Sequence, residues 1–486
     1  MARRRGPVDR FILTALALSA PALAFGAGVS GAGDVAPAGP FTGAVSQDVA
    51  GAALPPAYQT RYGIAAGIGE TDNVNLTSSN RKAQTLAAAN LDLSLIRSGS
   101  RLDVSALGNF SDIDYLQHAY GNQVFGRFDG LATLKLWTDH LNWIVRDDYG
   151  QAQLDPFAAV TPTNLERENV LTTGPDLTLR PTDASFVELE ALYQRITYQT
   201  SPFDGESLTG SAAVGRRISA LSKISLVGQE QQLRFDNTTR NKNFARRELY
   251  GDYDIIGART AFDVQLGATQ ADDTGSWTTS PLARLSLSRK VSPFSAVNLG
   301  GGREYTDAAG AFSDLTTGAA GGIVVGGVTQ TTANYLRNYA SAGWTFSRLR
   351  TEAGLTARWE RDTYDRTSDV IYDVTRTDVE LSLGRNLTRR LVADVVGSYA
   401  RTQYANQQFM DQYGTVGAGL TWRPGRWVEV YARYDHSFRR PGGPRAAVGG
   451  AGYDENRVFV MLGYRPHGAA DEAAPEAAPP ASPGAL

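Results

Sequence analysis

The sequence predicts an all-β protein: a transmembrane, antiparallel, up-and-down β-barrel of about 20 strands, within a range of roughly 18 to 22. Three observations lead there. Apolar and polar residues alternate through runs of about ten residues, the length a tilted strand needs to cross a bilayer and longer than the usual soluble strand. Tight-turn signals recur roughly every 40 residues, which spaces two long strands and one longer loop per period. Beyond the N-terminal region no stretch of about 18 uncharged apolar residues occurs, so a membrane-embedded form of this chain has to be a closed barrel, the other structure that satisfies every backbone group in lipid.

The elements follow in order. Arg3, Arg4, Arg5 and Arg10 precede the apolar run Phe11 to Ala24, which ends in Ala22-Leu23-Ala24. That layout predicts a secretory signal over residues 1–24, cleaved after Ala24. Residues 25–57 are rich in Gly, Ala and Pro without periodicity and predict a flexible periplasmic leader. The barrel is expected over residues 58–465. Its alternation is clear at Ala87, Ala89, Leu91, Leu93 and Leu95 against Asn90, Asp92 and Ser94, and again at Val428, Val430, Ala432 and Tyr434 against Glu429, Arg433 and Asp435. Turn signals fall at Arg97 to Ser100, Thr138-Asp139, Pro181 to Asp183, Ser219 to Ser222, Gly257 to Thr260, Ser292-Pro293, Ser347 to Arg350, Asn386 to Arg390 and Pro424-Gly425.

Two stretches depart from the pattern. The polar run Gln229 to Gln232 breaks the face set by Ile224 and Leu226, through a bulge or the end of the lipid zone. The Gly-rich stretch Asp307 to Gln330 reads either as a long loop folded into the lumen or as an extra short hairpin. The last strand, Asn456 to Arg465, alternates Val458, Val460, Leu462 and Tyr464, and residues 466–486 form an Ala/Pro-rich tail expected to be disordered. A β-propeller shares the period of about 40 residues, but a blade needs four short strands per period, which uninterrupted alternation contradicts.

Inward faces of such a barrel carry the polar residues. They are expected to line the lumen at Arg127, Asp129 and Lys135; at Glu188 and Glu190; at Arg246, Glu248 and Asp252; at Arg358 and Glu360; at Arg376, Asp378 and Glu380; and at Glu429, Arg433 and Asp435. Charges of both signs are tolerated there if the interior is wet or they pair. Sorted along each hairpin, Arg and Lys crowd the short turns, as at Arg97, Arg216, Arg289, Arg350, Arg390 and Arg426. Carboxylates such as Glu70, Asp112, Asp147, Asp148, Asp362 and Asp411 lie toward the long loops, giving an expected acidic outer rim. That axial asymmetry suits either anchoring in charged lipid or a field that guides an anionic chain. Trp137, Trp143, Trp344, Trp422 and Trp427 near the short turns fit an interfacial belt. Tyr431 and Tyr399 are the candidates for stacking on sugar rings, although Tyr399 falls on the outward face.

Other chemistry is weakly represented. With no Cys there is no disulfide, thiolate metal site, Cys nucleophile or lipid-anchored Cys. The four histidines, His118, His140, His436 and His467, have no metal-ligand spacing and no forced triad partner. Asp72-Asn73-Val74-Asn75 lacks the glycine and terminal Glu of a calcium loop. A net charge of −3 carries no concentrated basic surface for nucleic acid. No enzyme, cofactor, metal or nucleic-acid partner is expected.

At Thr71-Asp72-Asn73-Val74-Asn75-Leu76 and at Asn169-Val170-Leu171-Thr172-Thr173-Gly174-Pro175 the chain resembles the β-barrel porins associated with exosortase and exopolysaccharide gene systems. The resemblance implies residence in the Gram-negative outer membrane and a link to extracellular polysaccharide or surface-protein sorting; the expected partners are outer-membrane lipid and lipopolysaccharide, with polysaccharide or secretion-system components beside them. It brings no catalytic residues. A porin-like channel serving polysaccharide export and a non-conducting assembly barrel are both open on these grounds.

Overall fold

A computed structural model describes residues 58–239, 241–272, 275–318, 333–365, 372–444 and 452–466. The expected signal, leader and all but the first residue of the tail lie outside them, as does the Gly-rich run from 319 onward. Twenty strands, β1 (Tyr58–Thr71) to β20 (Tyr453–Tyr464), each pair antiparallel with their neighbours in sequence. β20 then pairs with β1, from Ile64 against Tyr464 to Thr71 against Arg457, and closes the sheet. Closure removes the edge strands, so the ladder leaves no row of open backbone groups facing lipid.

The turn signals join even-numbered strands to the next odd one. Thus β2 (Gln84–Ser98) meets β3 (Leu102–Tyr115), and β18 (Phe409–Trp422) meets β19 (Val428–Arg439), at the short-turn end. β1 begins and β20 finishes at that end too. The closing strand starts three residues earlier than its clean alternation suggests, because Tyr453 and Glu455 continue the inward face.

Sidedness follows from the period of two. On β20 the outward Val458, Val460, Leu462 and Tyr464 are exposed, while Glu455, Arg457, Phe459 and Met461 are buried. The same holds on β9 (Ser222–Phe235), where Ile224 and Leu226 are exposed and Ser225, Gln231 and Leu233 buried. β9 pairs without interruption on both sides, so the polar run Gln229 to Gln232 is the end of the lipid zone rather than a bulge. Register shifts occur instead at the short-turn end, between Lys135 and Trp137 and between Lys290 and Ser292. The apolar band therefore occupies the part of each strand nearer the short turns, and the strands project beyond it toward the long loops. Trp137, Trp143, Trp344, Trp422 and Trp427 are all exposed near the short turns, where amphipathic rings sit at the headgroup level.

Closure depends on small residues. β1 turns Gly63, Ala65, Gly67 and Gly69 toward the interior. Phe459 and Met461 of β20 lie across Gly69 and Gly67, filling the space a side chain would take. These contacts extend into an interior cluster with Leu86, Ala88, Ile113, Tyr115, Phe125 and Tyr431.

Candidate functional site

The interior has two levels. At the long-loop level, chain from two loops crosses it. After β13 (Ser295–Thr306), Asp307 caps a helix, α1 (Ala308–Gly318), its Oδ1 accepting from the Gly310 amide at 3.0 Å. The helix reaches the opposite wall, where the Arg146 guanidinium on β5 (Leu141–Gln153) donates to the Ser313 carbonyl at 3.2 Å. Phe312, fully buried, packs with Ala152, Val170, Ile196, Leu233, Phe244 and Tyr335, which come from both sides of the barrel. The β13–β14 connection thus folds inward at its start, the first of the two alternatives left by the sequence.

The second crossing was not foreseen. Between β5 and β6 (Leu165–Leu179), Phe157 reaches Tyr404 of β17 (Leu391–Tyr404), ring centroids 4.7 Å apart, and Phe409 of β18 at 5.8 Å. Arg439 on β19 donates to the Phe157 carbonyl at 2.6 Å and also pairs with Asp411. Val160 of the same loop joins the cluster around Ile113 and Phe125. The sequence signal was present: Phe157-Ala158-Ala159-Val160 is apolar in a loop that would otherwise face water.

Below these crossings the wall is polar. All the charged positions expected to face inward fall on the face opposite the exposed apolar side chains. Arg127, Glu248, Glu360, Arg376, Asp378, Glu429, Arg433 and Asp435 are buried. Asp129, Lys135, Glu188, Glu190, Arg246, Asp252, Arg358 and Glu380 are half-buried. Many partners are cross-strand rather than the sequence neighbours suggested by alternation. Lys135 binds Asp103 at 2.7 Å, Glu248 binds Arg284 at 2.9 Å, and Glu429 binds Arg465 at 2.8 Å. Arg284 also pairs with Glu304, which pairs in turn with Arg337, so alternating charges run from β10 (Phe244–Ile256) to β14 (Tyr335–Arg348). Arg376 and Arg358 share Glu360, the first at 3.4 Å. Arg433 bonds Asp435 at 2.7 Å and Asp394 at 3.5 Å. Neither Arg284 nor Glu304 stood out in the sequence, because neither has a charge two residues away on its own inward face and only the register reveals the chain.

One sector breaks the balance. Glu190 on β7 (Ser185–Tyr198) stands opposite Asp176 of β6, and Asp254 of β10 opposite Asp263 on β11 (Thr260–Asp272), both with like charges in register. Glu188 and Asp252 share this wall, and the nearest cation, Lys223, reaches only Asp254, at 4.0 Å. Like charges directly opposite are unfavourable in a sheet unless solvated or bridged. Adjacent inward positions are small and polar, with Thr209 and Ser211 half-buried and Ser286 exposed.

The expected acidic outer rim needs correction. Asp148, Asp362 and Asp411 turn inward and are buried, with Asp148 held by Arg146 at 2.9 Å. Outward at the same end stand Arg167, Arg195, Arg234, Arg247, Arg303, Arg361 and Arg401. The period of two reverses sidedness at each residue, so position along a hairpin alone misassigned these charges. Arg195 forms a two-pronged pair with Asp236 at 2.9 and 2.6 Å, and its hydrogen bonds hold the Asp236 carboxyl below the usual carboxylate range. Tyr399 is exposed on the outside, whereas Tyr431 faces inward and is buried with its hydroxyl on Arg433.

A closed barrel with a lipid-facing band, an interfacial aromatic belt and a charged interior is an outer-membrane β-barrel of porin-like type. A family model described as "Putative beta-barrel porin 2" matches residues 302–465, from the end of β13 through β20. No curated protein matches the chain. Among solved structures the chain is similar to the siderophore receptor PirA from Pseudomonas aeruginosa, at 10% identity and a TM-score of 0.40 over 85% of this chain and 81% of that one. It is similar also to a mutant ferric enterobactin receptor (PfeA) from Pseudomonas aeruginosa, at 10% identity and TM-score 0.43 over 84% and 80% of the two chains. The FrpB iron transporter from Neisseria meningitidis gives 9%, 0.42, 85% and 81% in the same order.

Proposed function

We propose that this barrel is a porin-like passage of the outer membrane, delivered by its N-terminal signal, whose long-loop end is held shut by its own loops and which serves export or surface assembly of exopolysaccharide. The observation that carries the passage is the two-level interior: a wetter wall with Thr209, Ser211 and Ser286 beneath a layer packed around Phe312 and Phe157. The polysaccharide link rests on the resemblance at Thr71 to Leu76 and Asn169 to Pro175. The carboxylate wall of Glu188, Glu190, Asp252 and Asp263 favours a neutral or cationic chain over an anionic one, because fixed charge in a low-dielectric channel repels like charge. This replaces the axial field suggested by an acidic outer rim.

The packed layer favours a second reading, a non-conducting barrel that scaffolds partners. Conductance of the full chain in planar bilayers separates the two. The passage predicts rare openings in the wild type and frequent ones in Phe312→Ala, which removes the side chain that joins the two walls. Silence of both at every voltage, with both proteins folded, supports the scaffold.

A further inference from the structure

The outward wall beyond the lipid band divides into two sectors. On β1, β3 and β5 it carries Glu70, Asp112, Asp114 and Asp147. From β13 to β18 the outward strand positions at that level carry Arg303, Asn338, Arg361, Thr377, Arg401 and Gln412, and among the described residues no carboxylate. Among the described residues, two loop carboxylates lie above them and are engaged elsewhere. Asp365 accepts from the Tyr305 hydroxyl at 2.8 Å, and Asp373 from the Tyr364 amide at 2.8 Å.

The register sets these arginines on two adjoining outward rows. Arg303 is opposite Asn338, which is opposite Arg361 on β15 (Thr351–Tyr364). Arg361 is opposite Thr375 of β16 (Val374–Asn386), whereas Arg401 is opposite Thr377 and Gln412, the next outward row toward the short turns. Arg361 and Arg401 therefore stand two strands apart and two residues out of register, about 12 Å from each other along the sheet. Arg303 is tied to Asn338 at 2.8 Å. Arg361 and Arg401 are exposed and have no hydrogen-bond or ion-pair partner among the described residues. Two residues nearer the short turns, Trp359 and Tyr399 face outward and are 40% and 43% exposed, which marks the upper edge of the lipid band.

Guanidinium groups at that height, just above an aromatic girdle, meet the headgroup region of the leaflet on the long-loop side, which is the external one in outer-membrane barrels. Their planar donors match phosphate oxygens two at a time, and a wall without competing carboxylates leaves them free to do so. We propose that the β13–β18 wall is a docking surface for the phosphorylated glycolipid of the outer leaflet, lipopolysaccharide, with Arg361 and Arg401 each engaging a phosphate. The site does not depend on whether the interior conducts.

The test measures binding of lipid A to the full chain in detergent, by native mass spectrometry, with a chelator present so that divalent bridging through Glu70 and Asp112 is removed. Bisphosphorylated lipid A should bind, and the Arg361→Gln/Arg401→Gln double variant should lose at least about tenfold in affinity, as expected for two charge-assisted contacts. Arg167→Gln, on the outward face of β6, should leave binding unchanged. Dephosphorylated lipid A probes the same contact on the wild-type chain and should bind as weakly as the double variant does to the intact lipid. Equal binding of the dephosphorylated lipid, or an unchanged affinity in the folded double variant, would overturn the proposal. So would phosphatidylglycerol binding as tightly with the same dependence on both arginines, since the wall would then recognise any anionic headgroup.

Discussion

At the scale of single residues, the barrel is held where a side chain is missing. A methyl group placed on Gly67 would lie 2.6 Å from the Met461 Cα and against the Val460 carbonyl, both on the neighbouring strand. Neither is the movable end of a flexible side chain, so the β1–β20 seam would have to open. Gly67→Ala is therefore expected to cost about 1–3 kcal/mol, the usual range for overpacking a filled site. Urea unfolding of protein refolded into lipid vesicles reads this directly, and a midpoint unchanged from the wild type would show that the seam is looser than drawn. Gly210, with no atom within 4 Å of an added methyl, is the internal control, and its alanine variant should be near neutral. The alternation places Gly67 inward and Gly210 outward, but it does not show what lies over either. Each is a glycine in an alternating strand, and only the closing register brings Met461 over the first.

At the scale of a strand, the alternation makes a sharper statement, because one position up or down reverses the environment. Val460 points outward within the lipid band and is 48% exposed. Arginine there is expected to cost about 2–4 kcal/mol, the penalty of a cation near the bilayer midplane on a barrel wall. His436, outward on β19 but nearer the long loops, should accept arginine at about 0–1 kcal/mol. Folding of both variants into bilayers of fixed thickness, followed by unfolding midpoints, compares them. Equal losses would mean that the band runs higher than the exposed apolar side chains indicate. Strand number, turn positions and sidedness were legible in the sequence because each rests on local information: a period of two, and Gly, Pro, Asn, Asp or Ser at the reversals. Ion partners such as Arg284 with Glu248, and the inward fold of Phe157, depend on which strands become neighbours or face one another across the barrel. No local pattern encodes that.

At the scale of the whole molecule, the sign of the interior is the property most open to measurement. The walls contributed by β12 (Trp277–Ser292) to β20 pair most of their charges, through Arg284 with Glu304, Arg358 and Arg376 with Glu360, and Arg433 with Asp435. Paired charges cancel at a distance and leave little net field. The wall from β6 to β11 does not cancel: toward the short turns Glu188, Glu190, Asp176, Asp252, Asp254 and Asp263 have Lys223 beside them, at 4.0 Å from Asp254, while Arg246 is engaged nearer the long loops by Glu248 and Asp307. An ion crossing the interior therefore meets a net negative surface along one side, undiluted by bulk water if the passage is narrow. Openings of the Phe312→Ala barrel should consequently pass cations in preference to anions, seen as a reversal potential displaced toward that of the cation in a salt gradient. Adding Glu188→Gln and Glu190→Gln to that barrel should move the reversal potential back toward zero while leaving the frequency of opening unchanged, because neither carboxylate touches the layer around Phe312. A reversal potential on the anion side, or one indifferent to both substitutions, would mean that ions pass along the paired walls instead and that the unbalanced sector does not set selectivity.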